Sequence, residues 1–325
     1  MKISVCVPVY GVEKYIERCA VSLFEQTLSN DVEFIFINDC TKDKSIEILQ
    51  NVLRKYPQRQ NQTRIIEHPQ NKGLSAARNT AVDAACGTYI YHVDQDDFIE
   101  INTLKQLGQT AEEQHADIVV NELIWFWNDK KKTVLPKKFD NRIDFIRKVV
   151  TRKIQCGVVG NLIKRKLYTD NGISTPDLNM GEDYVTTPRL AYYAEKIVMH
   201  PQPMYYYFRG NESAMSRTPS LIRLQEMIKG HNYLVDFFQK QSAQEDFTQC
   251  FHEMYIENFI IMFEYAVTDL EHLKYLKANF PCRTWLSGRK CSLKIKTANI
   301  LFQLGCLRAI VLGTKLLQRL RSIRN

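Results

Sequence analysis

The chain has 325 residues, of which 45% are hydrophobic and 25% charged, a composition that excludes a disordered or fibrous protein and allows one large domain or two. Its net charge of +8 is local, because residues 289–325 contain nine Lys or Arg and no Asp or Glu, which leaves 35 basic against 36 acidic residues elsewhere. Since this excess lies on an apolar helical pattern and not on a groove-reading surface, it argues against a nucleic-acid partner.

The cysteines and the first residues bear on the cellular compartment. Nine cysteines are scattered through the chain without a CxxC pair, which disfavours both a disulfide framework and a structural zinc site. The chain enters a strand-like run without the pattern of a signal peptide. We therefore expect a cytoplasmic protein whose thiols are mostly buried.

The first hundred residues alternate between strand and helix patterns. Short β-rich runs predict strands at 2–10, 33–37, 63–67 and 89–93. Amphipathic spacing predicts helices over 16–24, over 45–53 with Ser45 as the cap, and over 74–86, where Gly87 ends the helix. Strands that are apolar throughout and alternate with helices imply a mostly parallel sheet with helices on both faces.

Several polar residues follow these strands directly. The carboxyl ends of parallel strands meet at one rim of a sheet, where open α/β sheets bind their ligands. Pro8 and Tyr10, then Asp39, then the acidic run 94–97 all lie at strand ends. We expect them to lie close together at that rim.

The acidic run Asp94-Gln95-Asp96-Asp97 places three carboxylates within four positions, directly after a predicted strand. Alternation along an extended tip lets Asp94 and Asp96 project on the same side, where they could meet one divalent cation and the diphosphate that it neutralises. The alternative is a solvated acidic turn. Neither GxGxxG nor GxxxxGK[ST] occurs, so the sequence lacks the main motifs that identify dinucleotide-binding oxidoreductases and P-loop kinases.

The second half of the chain reads as mostly helical. A helical pattern covers 184–196, and apolar residues recur at helical spacing from about 211 to 280. This spacing is typical of a core stripe and not of a cofactor site. His92 and His200 are interpreted as structural.

Residues 286–325 predict a basic amphipathic helix. Gln303, Arg308 and Lys315 interrupt its apolar residues too often for a membrane-spanning helix, which needs about 20 mostly apolar residues. A basic helix without acids suits the surface of an anionic leaflet, where each Lys or Arg contributes on the order of 1 kcal/mol. The alternatives are a terminal helix packed on the core and the seam of a homo-oligomer.

Five segments, in this order, resemble the family 2 glycosyltransferases: VPVYGVEKYIERCAVSLFEQT, FIFINDCTKDKSIEIL, NKGLSAARN, GTYIYHVDQDDFI and GEDY. The resemblance implies the GT-A nucleotide-diphospho-sugar transferase fold, an α/β fold with a mostly parallel, Rossmann-like sheet and a helical C-terminal region. We expect the glycosyltransferase domain at 1–210, with a nucleotide-binding half at 1–110 and an acceptor-side half at 111–210. A helical region at 211–285 and the amphipathic helix at 286–325 follow.

The resemblance also implies which residues bind the donor. Pro8, Tyr10 and Asp39 would frame the nucleotide base, and Arg78 would stand near the nucleotide phosphates. Arg209, in a segment similar to the family's closing strand and mobile loop, would reach the diphosphate; the alternative is a salt-bridged strand end. Gly11 and Cys40 depart from the family's usual Asn and Gly, which bears on the contacts to the base.

The acids carry the chemistry that the resemblance implies. Asp94 and Asp96 match the family's DxD, in which the first acid faces ribose or metal and the second holds Mg²⁺ or Mn²⁺. Glu182-Asp183 match its ED pair, so Asp183 would be the base that takes the proton from the acceptor hydroxyl. The alternative is that acids in a first helical turn only complement the helix dipole, by about 0.3–1 kcal/mol.

These inferences predict a metal-dependent, inverting transferase of a single sugar. Its donor would be a nucleotide-diphosphate sugar, a UDP-sugar by the resemblance, and its acceptor a hydroxyl of a lipid-linked or cell-surface glycan precursor. The processive signature QxxRW is absent. We expect a cytoplasmic protein, peripheral on the inner face of the membrane. The alternatives are a catalytically silent nucleotide-sugar or glycan-binding module on the membrane surface and a membrane-surface scaffold.

Overall fold

The computed structural model describes residues 2–127, 130–155, 157–178, 180–210, 220–241, 247–280 and 293–322. The chain divides into two compact units, Met1–Ala214 and Met215–Asn325. The loop predicted after Arg209, at 211–213, and the start of the predicted terminal helix, at 286–292, lie outside the described residues.

The first unit is built on two sheets. Its strands are β1 (Ile3–Val9), β2 (Val32–Asn38), β3 (Thr63–Glu67), β4 (Tyr89–His92), β5 (Phe98–Ile99), β6 (Ile118–Val120), β7 (Leu123–Trp127), β8 (Lys130–Thr133), β9 (Leu162–Lys164), β10 (Ile197–Met199) and β11 (Tyr205–Phe208). The main sheet has the order β10-β6-β9-β4-β1-β2-β3, and the smaller sheet has the order β5-β11-β7-β8.

The main sheet is mostly parallel, as predicted. β1 pairs in parallel with β2 and β4, β2 with β3, and β6 with β10, whereas β9 is antiparallel to β4 and β6. Every residue of β1 and β2 is buried, as expected for strands covered on both faces. The predicted α/β class is confirmed.

The helices of the first unit cover this sheet. They are α1 (Ile16–Phe24), α2 (Ser45–Arg54), α3 (Pro57–Gln60), α4 (Leu74–Ala84), α5 (Thr103–Glu113), α6 (Arg142–Val150), α7 (Lys166–Thr169) and α8 (Glu182–Tyr193). The apolar stripe predicted for α1 is buried in the main core together with residues of β1 and β2.

One predicted cap is wrong. Ser45 is the first residue of α2 and not its cap, and its hydroxyl accepts from the amide of Val12. Lys44 is the N-cap residue, and its side chain makes no capping bond; the carboxylate of Asp43, one residue earlier, accepts through Oδ1 from both the amide (3.1 Å) and the hydroxyl (2.6 Å) of Ser45. An ionised carboxylate two residues before the helix also complements the positive end of the helix dipole.

The second unit is helical in its described parts. Its helices are α9 (Leu221–Gln241), α10 (Thr248–Ala266), α11 (Leu270–Asn279), α12 (Leu293–Gln303) and α13 (Leu307–Ser322). The core is aromatic around Phe259, Phe263 and Phe302, whose rings lie 5.3 to 5.7 Å apart. None of the described helices is long and apolar enough to cross a bilayer.

The segment predicted as one terminal helix forms two, α12 and α13. Gly305 lies between them with φ of 80°, a backbone conformation that ends a helix and that glycine adopts without strain. Phe302 and Ile310 are buried with the core of the second unit, which matches the alternative of a helix packed on the core. Leu304 and Leu312 are each 69% exposed, so another apolar face stays on the surface.

Candidate active site

Three strand ends converge on one rim of the main sheet. The amide of Asp39, just after β2, donates to the carbonyl of Val9 at the end of β1 (3.0 Å). On the other side of β1, the amide of Val93 donates to the carbonyl of Cys6 (3.0 Å), which brings the turn that follows β4 to the same rim. The switch in strand order at β1 leaves a crevice of the kind that α/β sheets use for ligands.

Arg78 links the two acidic segments that the sequence singled out. It lies on α4 and its side chain is 1% exposed. Its Nη2 donates to Oδ1 of Asp94 (2.9 Å), and its Nη1 donates to Oε1 of Glu182 (2.8 Å) and Oδ1 of Asp183 (2.6 Å). One buried guanidinium thus holds the acidic turn after β4 and the start of α8 together.

The start of α8 presents Glu182 and Asp183 to this guanidinium. Gly181 caps the helix with φ of 85°, so the chain turns sharply before the two acids of the first turn. The amide of Val158 donates a hydrogen bond to Asp183. A Cβ atom built on Gly157 would lie 2.9 Å from Oε1 of Gln155 and 3.5 Å from Oδ2 of Asp183, so the close approach of the Gln155 amide to the backbone favours glycine beside this carboxylate.

The electrostatic environment of Asp183 is that of a carboxylate short of water. Burial raises the pKa of Asp183 to about 8, the charges of Glu182 and Asp94 add to the rise, and the guanidinium of Arg78 opposes it. The side chain is still 20% exposed, so a proton acceptor can be reached from solvent. A pKa near neutrality suits a group that takes a proton during turnover.

The three acids after β4 have different surroundings. Asp97 is fully buried, where its carboxylate accepts from the hydroxyl of Tyr205 (2.7 Å) and the amide of Phe208 (2.7 Å). Tyr205 also accepts from the amide of Asp94 (3.0 Å). Asp94 and Asp96, in contrast, are partly exposed. Asp97 therefore fastens the turn to β11, and Asp94 and Asp96 keep part of their surface exposed to solvent.

The donor atoms of this turn fit a hard cation. Among the described residues, no three His, Cys, Asp or Glu side chains form a ready-made metal cluster. Mg²⁺ and Mn²⁺ prefer oxygen ligands, and Mg²⁺ is typically held by one or two carboxylates together with substrate phosphates and water. The two partly exposed carboxylates, Asp94 and Asp96, match that requirement.

Asp39 is a buried anchor of the same rim. Its Oδ1 accepts from the amide of Lys72 (2.8 Å) and contacts Nδ1 of His68 (2.7 Å), and its Oδ2 accepts from the amide of Gly73 (2.8 Å). The carboxylate therefore holds the loop that leads into α4, on which Arg78 lies. Its predicted contact with a nucleotide base stays a prediction.

The other residues predicted to bind the donor lie at the ends of β1 and β11. Pro8 is buried inside β1, and Tyr10 is 48% exposed directly after it. Arg209 is exposed at the end of β11, where its guanidinium lies 4.9 Å from the centre of the Trp125 ring. The described residues thus bring Pro8, Tyr10, Asp39, Arg78, Asp94, Asp96 and Asp183 to the same edge of the main sheet.

Lys164 and Arg165 are held by structural contacts. Lys164 donates to Oδ1 of Asp117 (2.9 Å), and Nε of Arg165 donates to the carbonyl of Gly87 (2.9 Å). His92 is buried against Tyr168, and burial lowers its pKa to about 3, in line with a structural role. Sequence reasoning missed the tie made by Tyr205, because nothing in an aromatic strand pattern indicates which hydroxyl meets a buried acid.

The sequence profile of the family described as Glycosyl transferase family 2 matches residues 4–166, half of the chain. The chain is similar to the uncharacterized glycosyltransferase EpsJ of Bacillus subtilis, with 34% identity over 67% of this chain and 63% of EpsJ. It is also 28% identical to the poly(ribitol-phosphate) beta-N-acetylglucosaminyltransferase TarS of Staphylococcus aureus, over 64% of this chain and 35% of TarS. The chain thus spans less than two-thirds of the length of either curated relative.

Solved structures share the fold. The crystal structure of S. aureus TarS 1–349 in complex with UDP-GlcNAc matches with a TM-score of 0.62 and 18% identity, over 97% of this chain and 92% of that chain. The mannosyltransferase PcManGT from Pyrobaculum calidifontis, in complex with GDP-Man and Mn²⁺, matches with a TM-score of 0.57 and 15% identity, over 97% and 86%. The predicted GT-A fold is confirmed.

Proposed function

The chain belongs to glycosyl transferase family 2, and from that premise we propose that it transfers one sugar, with inversion, from a nucleotide-diphosphate sugar to a hydroxyl of a lipid-linked or cell-surface glycan precursor. A UDP-sugar is the proposed donor, in line with the complex of TarS with UDP-GlcNAc. The acceptor proposal is in line with the name of TarS, which describes transfer to poly(ribitol-phosphate).

The bridge made by Arg78 is the single observation that carries this proposal. Inverting transfer needs one group that takes the proton of the attacking hydroxyl and another that neutralises the departing diphosphate. Asp183 would take the proton, and Asp94 would help to hold the cation that neutralises the diphosphate. Both carboxylates contact the same guanidinium. Two acids 89 positions apart therefore lie within the span of one arginine head group.

A divalent cation, Mn²⁺ or Mg²⁺, would be held by Asp96 and Asp94. When bound there it would supply positive charge against the leaving diphosphate. Support comes from the oxygen-only donor set of the turn and from the Mn²⁺ in the PcManGT complex. Asp97 and Tyr205 would keep the turn in place while the ligands exchange, since neither side chain faces the crevice.

Asp183 would act as the general base. Its carboxylate is oriented by the amide of Val158 and by Arg78, and it stays partly exposed to solvent. Glu182 shares the guanidinium and would hold it in place rather than react. Tyr10, Pro8 and Asp39 would frame the nucleotide base, and Arg209 would approach the diphosphate.

The second unit would attach the protein to a membrane surface. Residues 289–325 carry nine Lys or Arg and no acid; Leu312 and Leu316 are exposed on α13, and Leu304 is exposed directly after α12. Exposed leucines beside basic residues favour the surface of an anionic leaflet. We therefore place the protein in the cytoplasm, peripheral on the inner face of the membrane; the same exposed leucines would serve a homo-oligomer instead.

Donor turnover by the purified chain tests this function. Nucleotide sugars are first screened by thermal shift with Mn²⁺, because a ligand that binds the folded state raises the melting temperature. Release of nucleoside diphosphate from the best donor is then measured, with and without a glycan acceptor. Asp96→Ala and Asp183→Asn should each lower kcat by about 10³-fold or more, as expected for groups that act in the transition state.

The matched control is Asp83→Asn, an exposed acid on the same helix as Arg78. It should leave both turnover and the melting temperature unchanged. Binding of a nucleotide sugar without turnover under any acceptor would favour the silent binding module. Equal activity of Asp183→Asn and the wild type would remove the assigned base.

A further inference from the structure

Arg18 of α1 contacts the backbone of the acidic turn, residues 94–97, that follows β4. It lies on the first helical turn of α1, and its Nη2 donates to the main-chain carbonyl of Asp96 at 2.7 Å. Its neighbour Cys19 contacts the carbonyl of Asp94 through Sγ (3.8 Å). The first turn of α1 therefore contacts the backbone at both Asp94 and Asp96.

An aromatic cage surrounds the guanidinium of Arg18. Its central carbon lies 4.5 Å from the ring centre of Phe208, 4.7 Å from that of Phe98 and 5.6 Å from that of Phe126. Each ring face attracts the cation, and a planar guanidinium can stack on rings while it donates in its own plane. The cage thus restricts the direction in which Arg18 can donate.

The cage connects three elements that lie far apart in the chain. Phe98 belongs to β5, Phe126 to β7 and Phe208 to β11. Nε of Arg18 is buried and has no hydrogen-bond partner among the described residues. An unsatisfied buried N–H is costly, so the contacts with the three rings and the bond to the carbonyl of Asp96 offset that cost.

We propose that Arg18 is a positioning residue that orients the metal-facing carboxylate of Asp96 by holding its main-chain carbonyl. This inference rests on the proposed function, since it concerns the cation that Asp96 would carry. Asp97 is fixed on one side by Tyr205 and Phe208, and Arg18 fixes the residue before it. The side chain of Asp96 then starts from a backbone that is held on both sides.

Arg59 offers a matched control, because its guanidinium also lies near an aromatic ring and donates to main-chain carbonyls, but away from the acidic turn. It is also buried, lies 5.6 Å from the ring centre of Phe34, and donates to main-chain carbonyls, among them those of Phe24 (3.0 Å) and Gln26 (2.5 Å). None of these carbonyls belongs to the acidic turn. Arg59→Lys should lower stability as much as Arg18→Lys does, or more, without any effect on the binding of a cation at Asp96.

The test measures Mn²⁺ binding directly. The full chain, Arg18→Lys and Arg59→Lys are titrated with Mn²⁺ in the presence of UDP, and free Mn²⁺ is read from its electron paramagnetic resonance signal. Arg18→Lys should weaken Mn²⁺ binding about tenfold, as is usual when a group that orients a metal ligand is lost. Its kcat at saturating Mn²⁺ should stay within about threefold of the wild type, and Arg59→Lys should bind Mn²⁺ as the wild type does.

A milder variant and a metal-free readout accompany this titration. Phe126→Leu removes one wall of the cage and should weaken Mn²⁺ binding less than Arg18→Lys does. Amide hydrogen exchange of the segment 94–98, measured without metal, should be faster in Arg18→Lys and unchanged in Arg59→Lys.

The outcomes separate this inference from the proposed function. Equal Mn²⁺ affinity in Arg18→Lys and the wild type, with equal exchange at 94–98, would overturn the positioning role while the metal site stands. Equal weakening in Arg18→Lys and Arg59→Lys would also overturn it, because the effect would then be general. A wild-type chain that binds no Mn²⁺ with UDP would overturn the metal assignment and this role together.

Discussion

The two units of the chain bury very different groups. The first unit buries ionisable side chains at many places, among them Arg59, Arg78, Asp97, Glu122 and Glu182. Among the residues described in the second unit, no Asp, Glu, Lys or Arg is buried, and the polar exceptions include His231, which contacts the amide of Asn258 (3.0 Å). The second core consists of aromatic and aliphatic side chains.

This difference indicates where the chemistry lies. Removing a charge from water costs several kcal/mol per ion unless partners compensate it, so a fold without need of charge fills its core with apolar groups. The second unit does so. The first unit places Arg78 among three carboxylates at the edge of its sheet, an arrangement that is expensive for stability and useful for catalysis.

Arg78→Met has the largest expected effect. If it changed neither stability nor turnover, the contrast between the two units would not bear on catalysis. It leaves Asp94, Glu182 and Asp183 without their shared cation, so the free energy of unfolding of the first unit should fall by about 3–5 kcal/mol. Donor turnover should be lost as well. Urea denaturation measures the first effect. Arg78→Lys, which keeps one charge but not the fork, should recover part of the stability and less of the turnover.

Phe259→Ala is the corresponding change in the second unit. Phe259 is fully buried and stacks on Phe263 at 5.5 Å, so its removal should cost about 3–5 kcal/mol of stability in that unit. Hydrogen exchange of α10 and α11 reports the loss. Donor turnover at 25 °C should persist, because the acids lie in the other unit. A loss of turnover equal to that of Arg78→Met would contradict the assignment of chemistry to the first unit alone.

The pH dependence of turnover tests whether Asp183, in the first unit, acts as the general base. A general base works when it is ionised, and burial raises the pKa of Asp183 to about 8. We therefore expect kcat/KM to rise with pH, about tenfold for each unit of pH below 8, and to level off above it. A profile that is flat from pH 6 to 8 would show that Asp183 is already ionised there or is not the base. The melting temperature at each pH serves as the control for unfolding.

The smallest expected effect concerns the cap of α11. Oδ1 of Asp269 accepts from the amides of Glu271 (2.8 Å) and His272 (3.0 Å). Asp269→Ala should lower the stability of the second unit by about 1 kcal/mol, and Asp269→Asn, which keeps an acceptor, should lower it less. Thermal denaturation measures both. A loss above that of Phe259→Ala would mean that charge matters more to the second unit than its apolar core suggests.

The elements of the first hundred residues could be predicted closely. The strand predicted at 63–67 is β3, and the strands predicted at 2–10, 33–37 and 89–93 differ from β1, β2 and β4 by one residue or so at each end. Periodicity and burial agree in this region, because strands covered on both faces are apolar at every position. The predicted cap of α2 was wrong because Ser45 is a good cap by residue type, whereas the contacts of the turn place it inside the helix and give its amide to the carboxylate of Asp43.

The candidate site could be predicted in part. The sequence placed the acids after β4, since clustered carboxylates at a strand end are visible in a single chain, whereas the pair at 182–183 was identified by its resemblance to the family's ED motif. It singled out Asp94 and Asp96, which the structure leaves partly exposed, but it did not indicate that Asp97 is a buried anchor, because the same residue type occurs in both environments. Arg78 was predicted to face phosphate, whereas three carboxylates occupy its head group in the structure; its contact with phosphate stays a prediction.

From the sequence alone, the main strands and helices of the first hundred residues, the position of the acids after β4 and the basic charge of the last residues could be predicted. These features depend on local periodicity and composition. Only the tertiary structure decided that Arg78 joins Asp94 to Asp183 and that Arg18 reaches the carbonyl of Asp96. Those contacts join residues up to 105 positions apart, and a pattern along the chain does not contain the distances that packing of the sheet and helices creates.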